Sequence, residues 1–401
     1  MRRITFINRF FAPDLSPTSE LLTQLAAHFA AEGWSVAALA SQRFYDRPGR
    51  LPARALVGEV HVRRLPVTGL ARLGLVGRAV DYLSFYLGAF LSLIARLRRG
   101  DIVVVNTDPP LIGVIVHWAA RLRGARTVNW LHDLYPEVAE AHGLAFAAGP
   151  VGRFLARRRD ACLRAAALNV AICESMAALI DRRAPGARVR VVHNWCDDRA
   201  IRPLAAEANP LRAAWGLEGR FVVGYSGNLG RAHDWRTMAL AAQRLAERAD
   251  VTFLMIGAGA GMAALKAEIA RLGLRRRFQF RAYQPRESLA QTLGLADVHL
   301  VSQLPAFEGL LFPSKLYGAA AAGRGIIVIG DPDGELAKLV RSHACGEAVN
   351  SADVLAGVIE RCAEDRSIAA DWGRKARLML EAAFTREQAF ASWTAAIAQL
   401  M

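Results

Sequence analysis

The chain alternates short apolar segments typical of strands with helical segments, and it does so in two separate series. The first series runs from Ile4 to Leu131, and the second runs from Phe221 to Ile329. Continuous Val, Ile and Leu runs are typical of parallel strands that helices cover on both faces. The alternation therefore predicts an α/β fold with two doubly wound, Rossmann-like domains.

The two series define a predicted domain organisation. We predict an N-terminal domain at 1–203, a C-terminal domain at 204–385, and a closing helix at about 386–401 that packs back on the N-terminal domain. Two such domains are expected to face each other across a cleft, where strand ends and helix N-termini converge. The loops that follow the strands are therefore the expected location of a ligand site.

The net charge of +15 lies mostly in the first half of the chain. Residues 1–200 hold 27 basic and 16 acidic residues, a balance of +11, whereas 201–401 hold 24 and 20, a balance of +4. No zinc-finger spacing and no aromatic RNA-binding motif accompanies this charge, which argues against a nucleic-acid partner. A membrane surface and an anionic ligand remain open, and the run Arg157–Arg159 is interpreted as a solvated helix face.

Cysteine content and hydropathy predict the compartment. Five cysteines without a CxxC pair argue against a secreted disulfide framework and favour a reducing cytoplasm. The longest uncharged apolar run, 82–95, is shorter than the roughly 18–20 residues of a spanning helix, so no spanning segment is expected.

The loop after the strand at 221–225 is a candidate phosphate site. Gly227 and Gly230 allow backbone amides to approach an anion at a helix N-terminus, and Arg231 adds a positive charge. A tight turn in which Asp234 caps the helix explains the same residues, and both interpretations stay open.

The next strand is followed by a second glycine-rich loop at 257–261. Gly257 and Gly259 match a dinucleotide fingerprint poorly, because the third glycine is misplaced and a triple arginine at 275–277 replaces the ribose-binding acid. An NADP site and a structural turn both remain possible interpretations.

Polar residues cluster after the strand at 126–131. His132, Asp133, Tyr135 and Glu137 lie where the loops are expected to line the cleft. Each residue alone is also compatible with an ordinary structural role.

Lys315 is one of only four lysines and is predicted to begin a helix. A cation at that position is unfavourable unless an anion lies nearby, so Lys315 is a candidate ligand residue. Glu308, in the loop before it, can accept hydrogen bonds from vicinal hydroxyls, although an exposed loop glutamate is the alternative.

At these motifs the sequence resembles the retaining, nucleotide-sugar-dependent glycosyltransferases of family 4 with the GT-B fold, and among them the WbuB-type or colanic-acid-type enzymes. The motifs that carry the resemblance span almost the whole chain: Phe10–Asp14, Thr107–Pro110, His132–Glu137, His193–Trp195, Gly224–Asp234, Pro313–Gly318 and Ala322–Arg324.

The resemblance implies a role for each candidate residue. It implies catalytic roles for His132, Arg231, Lys315 and Glu308. Among them, His132 is expected to contact the donor sugar. Donor binding falls to Gly227, Asn228, Gly230, His233, Gly257, Gly259, Tyr283, Ser314 and Leu316. The acceptor side of the cleft falls to Pro17, Thr18, Asp133, Tyr135 and Glu137.

The sequence also departs from the family pattern. The family's basic residues in the first loop fall near Asn228 and His233, and its paired glutamates align with Leu310 and Gly318. Arg231, Lys315 and the loop amides would then stabilise the leaving diphosphate, so neither a metal nor a cofactor is expected.

The expected substrates are a nucleoside-diphosphate sugar and a glycan acceptor carried on a polyprenyl diphosphate at the inner face of the cytoplasmic membrane. A helix predicted at 79–98, with arginines at its end, is a candidate for contact with that anionic surface, and a core helix is the alternative. A GT-B sugar-nucleotide 2-epimerase, a non-catalytic nucleotide-sugar-binding subunit and an NADP dehydrogenase are the competing functions.

Overall fold

The computed structural model describes residues 2–14, 16–45, 47–70 and 74–401, without the side chain of Pro17. The chain divides into two compact units. The first unit comprises Met1–His193, Gly309–Leu311 and Phe390–Met401, and the second comprises Asn194–Glu308 and Phe312–Ala389.

The first unit is built on an eight-stranded sheet with the order β3-β4-β2-β1-β5-β6-β7-β8. Its strands are β1 Arg3–Ile7, β2 Ser35–Ser41, β3 Arg54–Val57, β4 Val60–Leu65, β5 Ile102–Asn106, β6 Arg126–Leu131, β7 Leu168–Ala171 and β8 Val189–Val191. Its helices are α1 Pro17–Ala31, α2 Gly74–Arg96, α3 Ile112–Arg123, α4 Glu137–Ala141, α5 Ala145–Ala148, α6 Pro150–Ala165 and α7 Glu174–Arg183. All strand pairs are parallel except β3 with β4.

The second unit has a six-stranded, fully parallel sheet with the order β11-β10-β9-β12-β13-β14. Its strands are β9 Phe221–Ser226, β10 Val251–Ile256, β11 Phe278–Arg281, β12 Val298–Ser302, β13 Gly325–Ile329 and β14 Gly346–Val349. Its helices are α8 Pro210–Ala214, α9 Trp235–Arg244, α10 Ala260–Arg271, α11 Leu289–Leu293, α12 Lys315–Ala321, α13 Glu335–Ser342, α14 Ala352–Glu364 and α15 Arg366–Ala383, and the last helix of the chain is α16 Arg386–Ala398.

The predicted α/β fold with two parallel-sheet, Rossmann-like domains is confirmed. The central strands are buried along their whole length, as β5 and β10 show, and this burial explains their uninterrupted apolar sequences. The prediction missed β3, β7, β8 and β14, which are short and carry few large apolar residues. It also ended the second series too early, since β14 and three helices lie between β13 and the closing helix α16.

By length and composition alone, α2 is long and apolar enough to cross a membrane, whereas the sequence analysis rejected any spanning segment. The difference arises because the expectation counted only the uncharged run 82–95, whereas α2 starts at Gly74 and extends through Arg78 and Asp81 before that run. α2 contributes Phe85, Ala89 and Leu93 to the apolar core of the first unit, so one of its faces is already packed against protein.

The C-terminal segment of the first unit is held by aromatic contacts. The indole of Trp393 is fully buried and meets the ring of Trp130 edge-on, with 5.0 Å between ring centres. Phe390 stacks on the imidazole of His28 at 4.5 Å, and Thr394 Oγ1 lies 2.9 Å from His28 Nε2. These contacts make the segment part of the core of this unit.

We therefore expect Trp393→Ala to lower the free energy of unfolding of the first unit by about 3–5 kcal/mol, because the truncation leaves a cavity in a closed core. Urea unfolding followed by circular dichroism measures the change. Leu56→Ala, in the same unit, is the matched control, since that side chain is 64% exposed and its loss is expected to change stability by less than about 0.5 kcal/mol. Equal effects of the two substitutions would contradict the packing described above.

Candidate functional site

Two glycine-rich loops of the second unit pack backbone against backbone. The amide of Gly227, in the loop after β9, donates to the carbonyl of Ile256 at 2.9 Å. The amide of Leu229 donates to the carbonyl of Ala258, in the loop after β10, at 2.8 Å. The two loops therefore form one surface at the carboxyl edge of adjacent parallel strands.

Only glycine permits this close approach at two positions. Gly257 has a φ of +127°, and a Cβ atom there would lie 2.2 Å from the carbonyl oxygen of Gly227. Gly259 has a φ of +123°, and its Cβ would lie 2.3 Å from Asn228 Oδ1. The glycines of the second loop thus have a packing role against the first loop, whichever ligand binds there.

Lys315 brings a distant part of the sequence to this surface. It is the first residue of α12, as predicted, and a Cβ built on Gly227 would lie 3.2 Å from Lys315 Cε. The ammonium Nζ lies 3.3 Å from His233 Nε2 and 5.3 Å from the centre of the Tyr225 ring. Two motifs that the sequence analysis identified separately are therefore adjacent.

Hydrogen bonding determines which nitrogen of His233 carries the proton. His233 Nδ1 lies 2.5 Å from the carbonyl oxygen of Ser302, which can only accept, so Nδ1 is the protonated nitrogen. Nε2 is then free to accept from the ammonium group of Lys315. Burial, and next the charge of Lys315, lower the pKa of His233 to about 4, and burial lowers the pKa of Lys315 to about 8. At neutral pH the pair holds one positive charge, on the lysine.

Arg231 is exposed and lines a cavity of about 350 Å³ together with His233, Trp235 and Gly261. The carboxylate of Asp234 accepts from the amide of Thr237 at 3.0 Å and caps α9. The capping interpretation of Asp234 is therefore confirmed. It is compatible with an anion site in the same loop, because the cap uses a side chain and leaves Arg231 on the surface.

Glu308, the acid nearest to the degenerate glutamate motif, and Gly318, one of the two motif positions, differ in their surroundings. Glu308 Oε1 accepts from the amide of Glu335 at 2.9 Å, so this carboxylate sits at the positive N-terminus of α13. Gly318 lies on α12, and a Cβ there would have only Leu293 Cδ1 within 4 Å, at 3.5 Å. Glu308 thus has a structural bond, while Gly318 has room for a Cβ atom.

The remaining donor candidates lie at the ends of β11 and α12. Tyr283 follows β11 and is 59% exposed. Ser314 is exposed immediately before α12, whereas the side chain of Leu316 is fully buried, so only its backbone can face a ligand.

A second polar cluster lies in the first unit, at the carboxyl ends of the neighbouring strands β1, β5 and β6. Arg9 Nε lies 3.2 Å from Asp108 Oδ1, and the Arg9 amide donates to the Asp108 carbonyl at 2.8 Å. Burial, and next the negative charge of Asp108, raise the pKa of Asp133 to about 7. Asp133 is therefore a carboxyl group that can exchange a proton near neutral pH.

His132 directly precedes Asp133 and is 7% exposed. Its ring centre lies 4.8 Å from that of Trp130, and burial lowers its pKa to about 3. The imidazole is consequently neutral at physiological pH.

Glu137 is held by a buried ion pair. Arg159 Nη2 lies 2.6 Å from Glu137 Oε1, and Arg159 Nη1 lies 3.0 Å from Glu137 Oε2. The same guanidinium donates to the carbonyl of Tyr135 at 3.0 Å. The expectation of a solvated face for Arg157–Arg159 was therefore wrong for Arg159, which is 7% exposed because it fixes the loop after β6.

Thr18 lies near the end of β1, since its Oγ1 accepts from Asn8 Nδ2 at 3.5 Å. Pro17 begins α1, and its side chain lies outside the described residues. Across the described ranges 2–14, 16–45, 47–70 and 74–401, no three His, Cys, Asp or Glu residues form a group that could hold a metal. The absence of a metal requirement stays a prediction.

Two family descriptions match successive parts of this sequence. The description "Glycosyl transferase 4-like domain" matches residues 19–195, and "Glycosyl transferases group 1" matches residues 208–379. The chain belongs to the glycosyltransferases. The two matches correspond to the two parallel-sheet units, and the second includes both glycine-rich loops and Lys315.

This glycosyltransferase is similar to known proteins and to solved structures. A probable glycosyltransferase, WbjE of Pseudomonas aeruginosa, is 28% identical over 64% of this chain and 64% of its own length, slightly under two thirds. Sucrose-phosphate synthase of Thermosynechococcus elongatus has a TM-score of 0.80 at 19% identity, over 100% and 99% of the two chains. Anabaena HepE in complex with UDP-glucose has a TM-score of 0.73 at 17% identity, over 100% of both chains. These two structures have the same GT-B fold.

Three residues of this glycosyltransferase were not among the predicted site residues. Arg9 and Asp108 follow β1 and β5, and Ser302 ends β12 and orients His233. Each residue lies at or just after the end of a predicted strand, and that position was the available signal in the sequence. The pairing of Arg9 with Asp108, however, depends on the order of the strands in the sheet.

We expect Gly257→Ala to lower the free energy of unfolding of the second unit by at least about 1–3 kcal/mol, since alanine at this φ is strained and its Cβ meets the Gly227 carbonyl. Gly357→Ala is the control, because nothing lies within 4 Å of its Cβ and it is inside α14. That control is expected to raise stability by about 0.5–1 kcal/mol. Urea unfolding measures both, and a neutral Gly257→Ala would contradict the close approach of the loops.

Proposed function

We propose that this chain is a retaining glycosyltransferase of the WbuB type. It transfers a hexosyl or N-acetylhexosaminyl group from a nucleoside-diphosphate sugar to a glycan on a polyprenyl diphosphate, in the assembly of a bacterial surface polysaccharide such as O-antigen or capsule. The observation that carries the proposal is the position of Lys315, whose ammonium group reaches the glycine-rich loop after β9 in a chain of this family.

The charge and backbone of this loop suit a diphosphate. The ammonium of Lys315 and the remaining amides of this loop are donors for phosphate oxygens, and Arg231 lies in the same loop, whereas the amides of Gly227 and Leu229 are used in the contact between the two loops. The complex of HepE with UDP-glucose supports a nucleotide sugar as the ligand class.

The proposed reaction breaks the bond between the anomeric carbon and the diphosphate oxygen. A bond forms between that carbon and an acceptor hydroxyl oxygen on the same face, and the hydroxyl proton passes to the leaving diphosphate. Lys315, Arg231 and the loop amides stabilise the negative charge that develops on the leaving group, and no metal or cofactor is required. His132 contacts the donor sugar as a neutral imidazole.

The acceptor side is proposed for the polar cluster of the first unit. Asp133 and Tyr135 follow β6, and Thr18 lies near the end of β1. Glu137 is proposed on the same side, where Arg159 holds both of its oxygens in place. We further propose a cytoplasmic location, which the five free thiols support.

Removing the ammonium of Lys315 tests the donor assignment. We expect Lys315→Ala to lower kcat/KM by about 10²–10³-fold, the range for a lost transition-state donor, and Arg231→Ala to lower it less because that side chain is exposed. Lys338→Ala, at an exposed lysine of α13, is the control. A kcat/KM within a few-fold of wild type in both site variants would refute the assignment.

The pKa of Lys315 predicts how donor affinity depends on pH. The ammonium form predominates below about pH 8 and is lost above it, so affinity is expected to be constant near neutrality and to fall by up to about tenfold per pH unit above pH 8. Isothermal titration with a nucleotide sugar, whose diphosphate keeps its charge in this range, measures the trend. Lys315→Met is expected to bind more weakly and without this pH dependence, and a retained dependence would assign it to another group.

A panel of UDP-, GDP- and dTDP-sugars, screened by thermal shift, identifies the donor base. The missing carboxylate at Gly318 favours, as a second candidate, a nucleotide-sugar-binding subunit without activity. A non-catalytic subunit is expected to show a higher melting temperature with at least one sugar nucleotide of the panel, but no turnover with any lipid-linked acceptor. Formation of an epimer from donor alone would instead indicate a 2-epimerase.

A further inference from the structure

Exposed apolar side chains concentrate on one part of the first unit. Helices α2, α3 and α6 pack side by side, α2 against α3 and α3 against α6, and the short α5 packs against α6; we refer to these four helices as the helix layer. Eleven of the nineteen large hydrophobic side chains that are exposed among the described residues belong to the helix layer. They are Leu75, Val76, Val80, Leu83, Leu87, Leu91, Trp118, Leu122, Phe146, Val151 and Phe154.

α2 is apolar on two opposite faces. Its exposed stripe is spaced by four, three, four and four residues, which places Val76, Val80, Leu83, Leu87 and Leu91 in one line along the helix. The stripe is 36–76% exposed, while the opposite face is buried in the core. A helix at a water-exposed surface ordinarily has a polar outer face, so the stripe requires a cover.

The exposed charges of the helix layer have one sign. The exposed charged residues of the helix layer are arginines, namely Arg78, Arg96, Arg121, Arg123, Arg153, Arg157, Arg158 and Arg164. The two acidic residues of these helices are engaged within the unit. Asp81 accepts from the amide of Leu70 at 2.7 Å, and Asp160 accepts from Arg159 at 2.7 Å.

We propose that the helix layer is a docking surface for an anionic lipid bilayer, with α2 lying in the plane of the headgroups. The leucine stripe and Trp118 enter the boundary between headgroups and acyl chains, and the arginines contact lipid phosphates. A second copy of the chain is a poor cover, because two such faces would oppose arginines with no exposed acidic partner on these helices. The proposal rests on neither the donor nor the acceptor assigned above.

Flotation with vesicles tests the surface directly. The full chain is expected to float with phosphatidylcholine vesicles that contain phosphatidylglycerol, less so at high salt, and far less with phosphatidylcholine alone. Reversing Arg121, one turn from Trp118, and Arg158, which lies over the Phe154 ring, together (R121E/R158E) is expected to weaken binding at least tenfold, since each basic residue near an anionic surface contributes about fivefold. The matched control R275E/R276E, in the second unit, is expected to bind as wild type does.

The apolar contribution is tested separately. L83S/L87S/L91S is expected to reduce flotation even at low salt, whereas L240S/L378S, at exposed leucines of the second unit, is not. The charge variant carries the test if the leucine variant fails to fold. The proposal is overturned if the wild-type chain does not float at low salt, or if the control variants lose binding equally. A dimer in sedimentation that L83S/L87S/L91S dissociates, without vesicle binding, would assign the surface to a second copy.

Discussion

The polar groups of both candidate sites depend on one constraint, which is that their parallel strands are buried on both faces. Such a sheet offers few polar positions along its strands, and those it has, such as Asn129 and Asn169, bond within the sheet. Charged and hydrogen-bonding groups that can meet a ligand therefore enter mainly where the strands end. In the second unit the loops after β9 and β10 and the end of β12 supply these groups. In the first unit the ends of β1, β5 and β6 do the same. The strand order therefore decides which residues meet.

This constraint also explains what could be predicted from the sequence. The buried central strands have continuous apolar sequences, so the two domains, the sheet type and the loops that carry the site followed from the pattern alone. Lys315 was predicted from a charge at a helix start that needs a nearby anion. Its contact with His233 was not predicted, because the two residues are 82 positions apart and meet only in the folded sheet.

The buried ion pair of Arg159 with Glu137 also could not be predicted from the sequence. Arg159 lies in a run of three arginines, and nothing in that run indicates that only the third turns inward to Glu137. The edge strands were missed for a related reason, since β3 and β14 are half-buried or exposed along most of their length and need few apolar residues. Local sequence thus describes the centre of each sheet better than its margins or its internal charges.

The glycine at position 318 lies inside helix α12, where a glycine is unusual. Glycine inside α12 weakens the helix by roughly 0.5–1 kcal/mol relative to alanine, and the space beside it is open at Cβ. The missing carboxylate is therefore not a steric necessity of the fold. A Cβ atom at this position would meet only Leu293 Cδ1, at ordinary van der Waals distance, so an alanine could replace this glycine without a clash. The helix therefore carries at position 318 a cost in stability that its packing does not impose, and a substitution there can change the chemistry of α12 while the sheet beneath it stays the same.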